Sequence, residues 1–293
     1  MKLKSLLYKK YIQMKESKIY TQHLQRKKKA IEKKYHAAKI DAIISHLNAI
    51  EDLYIPAAIT HQKVFPKYKG INKGKTVVLI GTGPTLDYYK PIQEETVNIG
   101  VNRAFMREDI LLDYLFSADR DKDETAEKMK EQYKGNNCIK FYPYIYRGLI
   151  EPIPNHCRDD ENAESFYVLS YNYSVFGHDL SKDQFFVFPP DLSVSPLKSY
   201  GTTMFSAFQF ALWTHPDKIF LVGCDCSNGH STLTGACNNH DFGYLINPWK
   251  KAKEFAAEYY PDIEITSINP VGLKGIFNDI YTDNYKESVK ESL

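Results

Sequence analysis

Residues 75–86, KTVVLIGTGPTL, constrain the fold more than any other stretch of the chain. Thr76–Ile80 is a charge-free run of β-branched and aliphatic residues, the composition of a strand covered on both faces in a parallel sheet. Gly81 and Gly83 then allow a tight turn and close backbone approach. Pro84 is suited to open a helix and Thr85 to cap it, so that backbone N–H groups would face a phosphate above the turn. The pattern is G-x-G without a third glycine, and no Gly-Lys-Ser/Thr comes after it as in a P-loop. It marks a strand-to-helix turn before it marks any particular ligand.

Further strand candidates lie at 98–102 (NIGVN), 112–118 (LDYLFSA) and 138–145 (CIKFYPYI). Pro143 cannot donate to a ladder, so the last is expected at a sheet edge or to end early. In an open parallel sheet the ligand lies beyond the carboxyl ends of the strands. Thr82, Asn102, Arg103, Ser117, Asp119 and Arg120 would then share one cleft, with Asn102 reading a base or ribose edge and Arg103 or Arg120 facing a phosphate. Ser117 and Asp119 are equally suited to capping the next helices. Asp119, Asp121 and Asp123 alternate with Arg120 and Lys122, which reads as an acidic helix start and not as a metal site.

From about 147 to 199 the chain is rich in Pro, Asn, Asp, Ser and Tyr without helical period, and reads as a lid or acceptor region inserted over the sheet. Its Tyr167, Tyr171 and Tyr173 are candidates for stacking on a sugar. Regular texture resumes with an apolar helix at 201–213, started by Thr202 or Thr203, and with a buried strand ending in Gly223-Cys224-Asp225. A helix at 247–260 and a strand at 263–268 come next. Strands and helices in alternation imply an α/β, doubly wound, mostly parallel Rossmann-like sheet.

Charge divides the chain. Its net +2 conceals thirteen Lys and Arg against two Glu in residues 1–40, which leaves the remainder acidic. Residues 1–70 read as a basic helical arm, ended by Pro56 and the glycines near 70, with 71–293 as the Rossmann-like domain. Leu3, Leu6, Leu7, Tyr11 and Met14 fall at helical spacing among lysines, which fits either peripheral contact with anionic lipid or a solvated or oligomerising arm. No nucleic-acid motif accompanies the charge. The five cysteines are irregularly spaced and no secretory segment is seen, so a cytoplasmic setting is expected, peripheral to the inner membrane face if the arm meets lipid. Cys224, Cys226, His230, Cys237 and His240 do not follow a standard zinc spacing.

The stretches KYKGINKGKTVVLIGTGPTLD and VNRAF, with the later DKIFLVGCDCS and KKAKEFAAEYYPDIEITSINPVGLKGIF, resemble the bacterial sialyltransferases of glycosyltransferase family 42. They also resemble a related superfamily of bacterial domains similar to the methanopterin-type 6-hydroxymethylpterin pyrophosphokinase. The resemblance runs in order over about 70–277 and implies a GT-A-like variant of the Rossmann-like sheet. It implies an inverting, metal-independent and cofactor-free transfer of a sugar from a nucleotide donor, a CMP-sugar and a nonulosonate being favoured, to a surface-glycan or glycolipid precursor. Gly81, Thr82 and Gly83, then Pro84 and Thr85, would hold the nucleotide's phosphate or ribose. Asn102 would contact the nucleotide, Thr202 or Thr203 the donor, and Asp225, after Gly223, would sit at the nucleotide end.

Two departures stand out. Thr82 replaces the Asn usual between the glycines, and the paired tyrosines that hold the leaving phosphate have no match, the region offering Ser227, His230 and Thr232 instead. The resemblance implies a histidine base in the loop after Asp225, with His240 nearest the expected place and His230 its rival; a histidine titrates near working pH. The alternatives are a Mg²⁺-dependent phosphotransferase using Asp119 and Asp121 and a non-catalytic nucleotide-binding scaffold. An NAD-dependent oxidoreductase is disfavoured because Asn102 and Arg103 stand where an acidic residue would read the ribose. The oligomeric state is left open.

Overall fold

A computed structural model describes residues 22, 24–29, 44, 54–118, 137–145, 162–169, 174–175, 178–179, 187–234 and 241–291. The chain divides into two compact units, 1–52 with 175–178, and 53–174 with 179–293. In the first, the described residues 22, 24–29 and 44 are helical.

The second unit carries, in chain order, α1 (Ile55–Val64), β1 (Thr76–Ile80), β2 (Thr96–Val101), β3 (Tyr114–Phe116), β4 (Ile139–Ile145), β5 (Ala163–Leu169), β8 (Leu197–Lys198), α2 (Thr203–Trp213), β9 (Lys218–Val222), α3 (Ile246–Tyr259), β10 (Glu264–Ile268), β11 (Asn278–Ile280) and α4 (Asp283–Glu291). Among the described residues the dipeptides β6 (Ser174–Val175) and β7 (His178–Asp179) form a separate two-stranded sheet. The main sheet has the order β11-β10-β9-β1-β2-β3-β4-β5-β8, and every neighbouring pair in it is parallel. The fold is therefore α/β, a doubly wound Rossmann-like sheet. From β1 the strands advance one way to β8, after which the chain returns to lay β9 on the other side of β1. That reversal is the topological switch point, where open α/β sheets bind ligands.

β1 is as enclosed as its composition requires, with Val77, Val78, Leu79 and Ile80 all at 0% exposure. On one face lies α2, buried along its whole length because every turn carries large apolar side chains. Phe210 meets Phe141 at 4.8 Å and Phe116 at 5.3 Å, while Phe116 stacks on Phe141 at 4.5 Å. On the other face Val78, Ile80 and Leu115 pack with Leu86, Phe105, Ile110 and Leu112.

Four expectations are corrected. Pro56 starts a helix where an end was expected: it sits in the first turn of α1, where its missing N–H removes no bond. Residues 54–70 belong to the sheet's unit, because His61, Phe65 and Tyr68 are buried beneath the exposed Lys63, Lys67 and Lys69. β4 is not an edge. The Phe141 carbonyl accepts from Ser117 N at 3.0 Å, and alternation turns the nitrogen of residue 143 toward the same side. Proline has no N–H to continue on that side, so the β3 pairing stops there while the β5 pairing runs on to Ile145. Finally, the segment 147–199 supplies β5 and β8 to the sheet, where a lid alone was expected. Among the described residues no helix is long and apolar enough to cross a membrane.

Candidate functional site

The carboxyl ends of β1 and β9 are joined before any ligand is considered. Gly81 N donates to Val222 O at 2.8 Å, and Gly83 N to Gly223 O at 2.8 Å. A Cβ on Gly81 would overlap the Gly223 carbonyl oxygen, and one on Gly83 would overlap an Asp225 carboxylate oxygen. The two glycines are thus needed for the approach of the second loop.

After Gly83 the chain enters a five-residue 3₁₀ turn, Pro84–Tyr88, with Gly83 at its start and no side-chain cap. Thr85 does not cap it. Its N–H donates to Asp225 Oδ2 at 2.7 Å and its hydroxyl to Asp225 Oδ1. The N–H expected to greet a phosphate is therefore taken by a carboxylate of the chain itself. Asp225 is 3% exposed, and burial pushes its carboxyl up to about 6, against the pull of the two Thr85 bonds. At the other end of the turn the buried Arg107 guanidinium donates to Leu86 O at 2.6 Å and Tyr89 O at 3.1 Å, and pairs with Asp109.

Beyond this junction opens a cavity of about 380 Å³. Gly81, Thr82, Gly83 and Pro84 form its floor on the β1 side, and Gly223, Asp225, Ser227 and His230 line it from the β9 loop. Asn102 enters from the end of β2 with φ 47°, a left-handed conformation that asparagine tolerates, and its Oδ1 accepts from Ala118 N at 3.1 Å. Thr202 and Thr203 reach it from the start of α2, where Thr202 Oγ1 accepts from Met204 N at 3.3 Å as the N-cap. Thr202, Thr203, Met204 and Ser206 line the cavity, so the positive end of the α2 dipole lies beside it. The opposite wall is apolar: Val101, Pro143, Phe166 and Val168.

Eleven of the residues expected from the sequence to hold the nucleotide or donor or to act as base therefore meet around one space. Thr85, Arg103 and Ser117 are not among its lining residues: Thr85 is spent on Asp225, Arg103 lies in the 3₁₀ turn after β2, and Ser117 is buried at the end of β3. Arg120, His240, Asp119, Asp121, Asp123, Tyr171, Tyr173 and Cys237 lie outside the described residues. Tyr167 sits on β5, 9% exposed, stacked on Tyr144 at 4.8 Å.

His230 is held by Thr82, whose Oγ1 lies 3.2 Å from Nδ1, and by the Phe242 ring edge-on at 5.1 Å. Among the described residues the ring's hydrogen bond uses Nδ1 alone, which makes Nε2 the nitrogen able to meet a ligand. Cys224 and Cys226 also line the cavity as free thiols, but burial raises both, Cys226 to about 12, so neither is a ready thiolate nucleophile. Among the described residues no group of three or more His, Cys, Asp or Glu gathers as a metal set. Sequence reasoning missed Ser199, Ser206, Phe242 and Trp249, which line the cavity without motif context, and Asp87, whose carboxylate accepts from Ser231 Oγ and from Thr232 N at 3.0 Å.

No protein-family model matches the chain, and no curated protein sequence matches it. Among solved structures it is similar to the MAf glycosyltransferase from Magnetospirillum magneticum AMB-1, at 12% identity and a TM-score of 0.41, over 78% of this chain and 38% of that one. The chain thus spans little more than a third of that protein's length. It is also similar to the sialyltransferase CstII from Campylobacter jejuni, solved in complex with the substrate analogue CMP-3FNeuAc, at 14% identity and a TM-score of 0.39, over 72% of this chain and 87% of that one.

Proposed function

We propose that the chain is an inverting glycosyltransferase that needs no metal and moves a sugar from a nucleotide donor, a CMP-sugar being favoured, to a surface-glycan precursor. The observation that carries this reading is the cavity at the β1/β9 switch point with His230 fixed in its wall. The α2 N-terminus and Thr202 offer donors to an anionic group of the donor, Asn102 offers an amide to the nucleotide, and the apolar wall excludes water from the reacting centre. His230, through Nε2, would take the acceptor hydroxyl's proton as the nucleotide leaves from the opposite side of the anomeric carbon. On sequence grounds His240 is favoured for that role with His230 its rival, and it stays the alternative.

The test is a thermal-shift panel of CMP, CMP-sugars, UDP-sugars, GDP-sugars, ATP and NAD, with and without Mg²⁺, and then release of CMP in the presence of glycan acceptors. Stabilisation by CMP or a CMP-sugar without Mg²⁺ is expected. His230→Ala is expected to lower turnover by roughly 10²–10⁴-fold, the usual contribution of a general base, with donor binding retained. Loss of turnover in His240→Ala alone would move the role to that residue. Stabilisation only by ATP with Mg²⁺ would replace the transferase with a phosphotransferase. The basic segment 1–40 fits peripheral attachment to an anionic membrane; flotation with anionic liposomes of the full chain, lost on deleting 1–40, is the expected result.

A further inference from the structure

Two carboxylates cross between the loops after β1 and β9 in opposite directions. Asp225, on the β9 loop, accepts from Thr85 on the glycine turn. Asp87, on the glycine turn, accepts from Ser231 Oγ, from Thr232 N at 3.0 Å and from Thr232 Oγ1 at 2.6 Å. Ser231 is fully buried, and its N–H donates to Thr82 O at 2.8 Å. Its hydroxyl oxygen also accepts from Leu233 N at 3.2 Å, and Thr234 Oγ1 donates to its carbonyl at 2.9 Å. Residues 231–234 are thereby wound into a single tight turn anchored on Asp87. The residue that enters this turn is His230, and Thr82, whose hydroxyl meets its Nδ1, is also the residue whose carbonyl holds Ser231.

Resting on the reading of His230 as the base, we propose that Asp87 is its positioning residue: the carboxylate clamps the turn after His230 onto the glycine turn and so aims Nε2 into the cavity. Asp87 is not among the residues that line the cavity. Its removal would strip a buried hydroxyl and an N–H of their acceptor, and the turn would repack to satisfy them. The His230 ring would then leave Thr82. A shift of that kind at a reacting centre lowers turnover much more than binding.

The experiment uses the full chain labelled at histidine with ¹³C and ¹⁵N, the His230 ring signals being identified by their loss in His230→Gln. In Asp87→Asn those signals are expected to move or broaden, as they should in Thr82→Val. CMP affinity should change by less than about threefold, while kcat with a CMP-sugar falls roughly 10²-fold at little-changed KM. Should Asp87→Asn fail to fold, Ser231→Ala and Thr232→Val each remove one donor to the carboxylate and are expected to displace the ring signals in the same direction. The proposal is overturned if these variants merely melt earlier, with the His230 signals and kcat unchanged well below the melting temperature. If the native chain turns over no CMP-sugar, the transferase reading falls separately, and unchanged or displaced ring signals still decide whether Asp87 places His230.

Discussion

Asp225 and His61 are both almost wholly buried, and they titrate against each other. His61 Nδ1 donates to Leu192 O at 2.9 Å while Nε2 accepts from Tyr167 N at 2.7 Å, so both nitrogens are used and the neutral tautomer is fixed. Burial lowers its pKa from 6.5 to about 4. Its stabilising contribution is therefore complete above the unfolded value and is lost as pH falls toward 4. Asp225 is shifted the other way, from 3.8 up to about 6 by burial. Its contribution is complete below the unfolded value and is lost as pH rises through 6. Between pH 4 and 6 the two slopes oppose, and the folded chain should show little net change from them. Asp225→Asn removes one side. Its stability relative to the native chain is expected to rise with pH by up to about 1.4 kcal/mol per unit across that window. Urea unfolding at pH 4.5, 5.5 and 6.5 measures the slope; a native-like slope in the variant would show that Asp225 does not titrate there.

At the scale of elements, the glycine turn and the β9 loop form one body, because each carries the carboxylate that completes the other. Gly83→Ala drives a methyl group into the Asp225 carboxylate and toward the Gly223 carbonyl. It is expected to cost about 1–3 kcal/mol, the usual range for overpacking. The double variant with Asp225→Ala should cost less than the sum of the single changes, since the two sites touch. Additive losses in chemical unfolding would deny the contact. This pairing also explains what could and could not be read from the sequence. The TVVLI strand, the glycines and the strand ends that converge on the cavity are legible because each is a local pattern of period or turn chemistry. The meeting of Asp87 with Ser231 is not, because the partners lie 144 positions apart and neither stands in a periodic run. Pro143 misleads because the edge rule assumes that both neighbouring strands run alongside, whereas β3 stops short. Residues 54–70 mislead because their lysines lie outward and conceal His61, Phe65 and Tyr68. Thr85 looks like a cap because the acceptor of its N–H comes from far along the chain.

For the whole molecule, the strand order makes the site depend on its most distant segments. β1 lies between β2, its next strand in sequence, and β9, and Thr85 and Asp225 are 140 positions apart. A chain ending after Thr214 keeps β1 to β8 and α2 but lacks β9, leaving one edge of the most apolar strand uncovered. Such a chain is expected to show no cooperative unfolding and no thermal shift with CMP; a cooperative transition would mean that β1 to β8 stand alone. The same geometry bears on synthesis in the cell. At about 5–20 residues per second, TVVLI leaves the ribosome on the order of ten seconds before the strand that shields it. During that interval a nascent chain carries an uncovered hydrophobic strand edge and lacks the β9 loop, so the cavity at the switch point takes shape only once Asp225 has emerged.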